Sequence, residues 1–139
     1  MSLKLIPLGT MVGELRRPHL LAKTPVGDRM IFEVAGGSLT GPRIRGRLKG
    51  TSAADWMVVG PDGTGTLDVR ALLETDDGAL VFIHYAGRVD LSQGPGAPLY
   101  AAPRFETGDD RYRWLNCVQA AGKGSLDGGT LTYELYELR

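Results

Sequence analysis

Asp68 and Arg70 stand two positions apart in the alternating stretch Leu67-Asp68-Val69-Arg70, which puts both on one side of a strand. A guanidinium next to a carboxylate suits the binding of a ligand carboxylate or an enolate-like oxygen, with the aspartate as proton acceptor. Glu106 follows Arg104 by two residues and is a second candidate acid or base, because burial beside an aromatic wall raises a carboxyl pKa toward neutrality. Asp68, Arg70 and Glu106 are therefore the candidate catalytic residues. Tyr112, Trp114 and Asn116 share one parity, and two aromatic rings with an amide resemble the lining of a small-molecule site. Together with Tyr85 and Arg104 they make up the candidate ligand-binding set. Plainer readings stand beside these. Asp55 and Arg70 could form an exposed cross-strand ion pair worth about 0.2–1 kcal/mol, and backbone groups could satisfy Asn116. Trp56 and His84 are expected in the core, and Cys117 as an inert buried thiol.

The elements that must position these residues are strands. Twenty glycines and eight prolines punctuate the 139 residues at short intervals, and no stretch keeps a helical period. Strands are expected within Leu8 to Leu15 and over Arg29 to Val34, from Thr40 through the alternation Arg43, Arg45, Arg47, and over Asp55 to Val59, Thr64 to Thr75 and Ala79 to Val89. Leu99 to Glu106, Tyr112 to Gln119 and Thr130 to Leu138 complete the set. Arg16 to Asp28 and Asp90 to Pro98 read as long loops, Gly36-Gly37 as a turn and Gly122 to Gly129 as a glycine-rich final loop. The expected fold class is all-β: one antiparallel barrel of about nine or ten strands, lipocalin-like or a similar small barrel, with residues 1–139 as a single domain.

The Asp62-Gly63 and Asp77-Gly78 pairs suit two-residue type I′ turns. Two-residue loops would set Asp55 opposite Arg70, Met57 opposite Asp68 and Arg70 opposite Tyr85. One face would then carry Asp55, Met57, Asp68, Arg70, Leu72, Ile83 and Tyr85. The other, with Trp56, Val58, Leu67, Val69, Ala71, Leu73, Phe82 and His84, is more apolar and is expected to face the core.

The 16 basic and 16 acidic residues cancel, which argues against nucleic acid as a partner. No apolar stretch reaches the roughly 20 residues of a membrane span, and a cytoplasmic location is expected. One cysteine and two histidines supply neither a disulfide nor the spacing of a zinc site, so neither metal nor cofactor is expected.

The segments Gly41-Pro42-Arg43-Ile44-Arg45-Gly46, Asp55-Trp56, Asp62-Gly63, Leu67-Asp68-Val69-Arg70, Thr75-Asp76-Asp77-Gly78-Ala79, Pro103-Arg104-Phe105-Glu106-Thr107-Gly108 and Tyr112-Arg113-Trp114-Leu115-Asn116 resemble, in that order, the family DUF3237, also called UPF0311. The likeness runs over nearly the whole chain. It implies a compact β-barrel, often oligomeric, in a family with no general activity assigned. Where family members carry a Tyr-Phe-Arg phrase, this chain has Leu99-Tyr100-Ala101-Ala102, and its final glycine-rich segment lacks an arginine common there.

Three functions compete on this footing. The first is a barrel that binds a small aromatic or carboxylated metabolite. The second is a cofactor-independent isomerase, cyclase or lyase using Asp68, Arg70 or Glu106. The third is a homo-oligomeric scaffold joined through Met57, Leu72 and Ile83.

Overall fold

Both Asp-Gly pairs close their hairpins with three residues, not two. In the computed structural model, which describes residues 1–139, the Gly60 N–H donates to the Thr64 carbonyl at 2.9 Å and the Thr75 N–H to the Ala79 carbonyl at 2.8 Å. The loops are thus Pro61-Asp62-Gly63 and Asp76-Asp77-Gly78, and the left-handed residue is the glycine that ends each, Gly63 at φ 87° and Gly78 at φ 91°. This is the three-residue hairpin with a terminal left-handed residue. The two-residue loop occurs elsewhere, at Gly128-Gly129, where φ is 56° and 87° and Asp127 pairs with Thr130.

The strands are β1 (Leu5–Leu15), β2 (His19–Thr24), β3 (Gly27–Thr40), β4 (Arg45–Leu48), β5 (Ala54–Val59), β6 (Thr64–Thr75), β7 (Leu80–Asp90), β8 (Leu99–Ala101), β9 (Arg104–Glu106), β10 (Ala120–Asp127) and β11 (Thr130–Leu138). An eight-stranded ring runs β3-β1-β11-β10-β8-β7-β6-β5 and closes where β5 pairs back onto β3. All the pairings are antiparallel, as expected for a barrel of hairpins. β4 bridges β3 and β6 beyond the end of β5, so two half-strands share one position in the wall. The loop 49–53 spans the seam between them. There the Val34 N–H donates to the Ala53 carbonyl at 3.1 Å and the Lys49 N–H to the Leu72 carbonyl at 2.8 Å.

The extra residue in each turn shifts both registers by one. Arg70 lies opposite Ala54 and His84, and Asp55 opposite Val69, which corrects the expected Asp55–Arg70 and Arg70–Tyr85 pairs. Since strand side chains alternate, a one-residue shift reverses a whole strand against its neighbour. Leu67, Val69 and Leu73 of β6 point inward as expected, but Met57, Ile83 and Tyr85 join them in the core. Trp56, 48% exposed, turns outward with Phe82 and His84. The scaffold face of Met57, Leu72 and Ile83 is broken up in the same way, for two of its three members fill the barrel.

Other expectations need correction for local reasons. The Arg16 to Asp28 loop contains β2, which pairs with β3, and β3 runs on through the Gly36-Gly37 turn position with a bulge opposite Glu14 and Leu15. The Gly122 to Gly129 loop is largely strand β10. The strand expected over Tyr112 to Gln119 is instead a 3₁₀ helix, Asp110–Cys117, which we call the plug helix. Asp109 starts it by accepting the Arg111 N–H at 2.9 Å, and Arg113 reaches back to Asp110 at 2.6 Å, so local side-chain bonds win over strand alternation. Cys117 is exposed, not buried. No helix is long and apolar enough to cross a membrane.

Gly78 isolates the conformational cost of the turn, because an added Cβ there would meet nothing within 4 Å. Gly78→Ala is expected to lower stability by about 1–2 kcal/mol, the left-handed penalty, seen as a loss of several degrees in melting temperature. An unchanged melt would show that the hairpin does not depend on this conformation.

Candidate functional site

Along the inward faces the side chains are almost all apolar. Leu8, Leu39, Leu67, Val81, Leu115 and Leu135 are each at most 1% exposed and belong to one continuous core. The plug helix supplies Leu115 and is held by polar bonds around it. The Tyr112 hydroxyl donates to the Asp77 carboxylate at 2.8 Å, and Arg111 donates to the Asp77 carbonyl at 2.9 Å, tying the helix to the β6–β7 turn. Hydrogen bonds from Thr75 and Tyr112 keep the Asp77 carboxyl below its ordinary pKa. The Arg43 guanidinium lies 4.0 Å from the centre of the Trp114 ring and also bonds Glu137 at 2.7 Å. Asn116 accepts the Thr107 N–H at 2.8 Å and donates to the Thr107 carbonyl at 3.0 Å, the backbone-satisfied amide of the plainer reading.

Polar chemistry enters the interior at Asp55, where the β5–β6 ladder is interrupted. Backbone pairing runs at Ala54–Arg70 and Asp55–Val69 and resumes at Val58–Thr66. In the gap the Asp55 carboxylate takes the place of a carbonyl and accepts the Asp68 N–H at 3.1 Å, while the Trp56 carbonyl accepts Arg29 at 2.7 Å. Opposite Phe32 and Val69, Asp55 shares the inward parity. Burial raises its pKa from 3.8 to about 7; the Asp68 N–H acts against the rise, and the Asp68 charge adds to it.

Two phenols share this interior. The Tyr85 and Tyr133 rings meet edge to face with centroids 5.7 Å apart, and the residues are 5% and 1% exposed. Burial raises both phenol pKa values; at Tyr85 the neighbouring Tyr133 and then the Asp55 charge add to the rise, and at Tyr133 the Tyr85 hydroxyl acts against it while the Asp55 charge adds to it. The polar neighbour of the buried Tyr133 hydroxyl is the Tyr85 phenol, and the two make no well-formed hydrogen bond. Gly124 of β10 lies directly opposite Tyr133, and a Cβ there would come within 2.6 Å of the ring. This glycine-rich stretch is strand, not loop, and Gly124 is the floor on which Tyr133 lies.

Beside the phenols is an apolar recess with a cavity volume of about 70 Å³, lined by Met11, Leu39, Val69, Ile83, Tyr85 and Tyr133 among others. Leu48 and Ala53 also line it, so it extends to the seam between β4 and β5. Of the eight residues singled out for chemistry, Tyr85 alone lies there. Asp68 and Arg70 are on the outer parity of β6, where Asp68 pairs with His84 at 3.3 Å and Arg104 lies opposite His84. Glu106 and Asn116 share a shallow outer groove with Phe82 and Leu80. Tyr112 and Trp114 belong to the plug helix. The sequence marks Asp55 only as a neighbour of Arg70 and does not mark Tyr133. The alternation Leu131, Tyr133, Leu135 against Thr132 and Glu134 was the available signal for it. No group of three or more His, Cys, Asp or Glu side chains is gathered in metal-binding geometry.

Residues 3–138 match the family model described as a protein of unknown function, DUF3237. A UPF0311 protein of Rhodopseudomonas palustris is 34% identical over 102 residues, 64% of this chain and 66% of that protein, just under two thirds of its length. A β-barrel-like protein from Acinetobacter baumannii superposes with a TM-score of 0.89 at 30% identity, covering 100% of this chain and 98% of that one. A hydroalkoxylation enzyme of Penicillium herquei is 32% identical over 89 residues, 64% of this chain and 52% of that enzyme.

The raised Asp55 pKa has a fixed sign in stability. Between pH 4 and 7 the folded chain holds a proton on Asp55 that the unfolded chain has released, so this group's contribution falls as pH rises through that window and is level above it. Urea titrations should show the protein losing up to about 1.4 kcal/mol per pH unit relative to Asp55→Asn over this range. Parallel pH profiles for the two proteins would refute the buried-carboxyl assignment.

Proposed function

The chain belongs to the DUF3237 family, and from that premise we propose that it binds a small, neutral, largely apolar molecule inside the barrel and moves a proton on it through Asp55. The observation that carries this reading is a carboxyl group held near pKa 7 within an apolar interior that also contains a recess. An acid or base is most effective when its pKa lies near the working pH, because both protonation states are then populated. An eight-stranded barrel has an interior that is filled by side chains or holds one small ligand. At about 70 Å³ the recess has less than half the roughly 150 Å³ of a cavity that takes up benzene, so a ring enters it only in part.

The lining sharpens the expected ligand class. It includes no basic side chain, so a ligand carboxylate would be buried there without a counter-charge, at high cost. The aromatic alternative fits better. The acid–base role falls to Asp55 because Asp68, Arg70 and Glu106 lie on the barrel's outer side.

The likeness to a hydroalkoxylation enzyme supports a reaction of matching economy. Addition of a molecule's own O–H across its C=C bond is an isomerisation: the new C–O bond forms as the π bond breaks, and one proton leaves oxygen and arrives at carbon. A single carboxyl that accepts the first proton and returns one to carbon closes the cycle. Asp55 is the interior group suited to that exchange.

A suitable probe is 2-allylphenol, whose hydroxyl adds to its own double bond. The protein is expected to accelerate this ring closure, and Asp55→Asn to slow it by about 100-fold or more with binding changed only slightly. Equal rates for the two proteins, or no acceleration by either, would sink the proton-transfer reading.

A further inference from the structure

On the outer wall three basic side chains fall into one row across three strands. Arg70 of β6 lies opposite His84 of β7, and His84 lies opposite Arg104 of β9. All three share the outward parity, because their chain neighbours Val69, Ile83, Tyr85 and Phe105 are buried. Two strand spacings put Arg70 and Arg104 about 10 Å apart at the backbone, a span that two arginine side chains close from either side of the imidazole. The acid that bonds into the row, Asp68, holds His84 at 3.3 Å, and no ion pair engages Arg70 or Arg104. Neither guanidinium therefore contributes a charge pair to the fold.

The next outward row has the opposite character. Leu72, Phe82 and Glu106 lie side by side on the same three strands, and with Leu80 they line an open groove of about 480 Å³. Volumes of roughly 300–1,000 Å³ are usual for small-molecule sites. The Phe82 ring stacks on the His84 imidazole with centroids 6.4 Å apart, which carries the apolar floor up to the basic row. At the far end Leu80 is 47% exposed.

We propose that this groove is a second binding site, for a hydrophobic monocarboxylate. Its carboxylate lies over His84 between the Arg70 and Arg104 guanidinium groups, and its apolar body runs along β7 over Phe82 toward Leu80. Arginine forks match a carboxylate in plane and in hydrogen-bond direction. Two residues of strand advance about 7 Å, so the body meets Phe82 after one row and Leu80 after two. Glu106 in the same groove opposes a second negative charge, which selects a monoanion. The site goes beyond the interior reading and takes the class of molecule that the recess excludes.

The test titrates 4-(4-fluorophenyl)butyrate and the matching alcohol, 4-(4-fluorophenyl)butan-1-ol, into the protein and follows fluorine NMR. Water holds the carboxylate more strongly, so an apolar groove alone would favour the alcohol. The expected result is that the carboxylate binds about tenfold more tightly. Arg70→Gln and Arg104→Gln, both at exposed positions, should each weaken the carboxylate by about tenfold, leave the alcohol within about twofold and keep the melting temperature unchanged. Arg88→Gln, which removes an exposed arginine elsewhere on the outer face of β7, should change neither probe. Tighter binding of the alcohol, an equal loss from Arg88→Gln and from the two row arginines, or no binding of either probe would overturn the carboxylate site.

Discussion

The single residue by which each Asp-Gly turn exceeds a two-residue loop determines which atoms face the barrel axis. With Gly63 and Gly78 in left-handed conformations at the third loop position, β5 and β7 are each displaced by one residue against β6. Every β5 and β7 side chain therefore changes sides relative to the shorter loop. Tyr85, Ile83 and Met57 become core, while Trp56 and His84 become surface. Asp55 turns inward with the first group, and with it comes the charge that the interior must accommodate. The barrel and its chemistry thus share one geometric origin, and neither can change register without the other.

The interior is organised around a conflict between stability and polarity. Packing alone would favour hydrocarbon throughout, and most of the inward positions comply. Asp55 is retained by borrowing a backbone partner: its carboxylate stands in for a carbonyl in the broken ladder and accepts the Asp68 N–H. That bond offsets part of the cost of burying the charge, and the displaced Trp56 carbonyl is satisfied by Arg29. The Tyr133 hydroxyl has only the Tyr85 phenol beside it. Tyr133 lines a recess in the core, and the Asp55 charge reaches its phenol.

Much of the fold was legible in the order of glycines, prolines and alternating residues. Thr64 to Thr75 is β6 to the residue, and the basic run Arg43, Arg45, Arg47 is exposed around the buried Ile44 and Gly46. What escaped were features set by one residue or by distant packing. Asp-Gly is compatible with loops of two or three residues, and the sequence alone does not separate them. The plug helix carries an alternating pattern, but Asp109 and Asp110 bond its own first turn. Gly122 and Gly124 look like loop residues because their purpose, clearance for Leu135 and Tyr133, becomes visible only when β10 lies against β11. The site was half legible for the same reason: Tyr85 was picked out by type, whereas Asp55 needed the correct register to turn it inward.

A closed ring of strands ordinarily offers a guest no door, since entry means breaking ladder bonds along a full stave. Here one stave is cut in two, with β4 and β5 meeting across the short loop 49–53. The recess reaches both ends of that loop, at Leu48 and Ala53. Passage through the cut would disturb a handful of bonds and leave the hoop of eight strands intact, so the size of the doorway can change with the loop while the register that aims Asp55 and Tyr133 stays as it is.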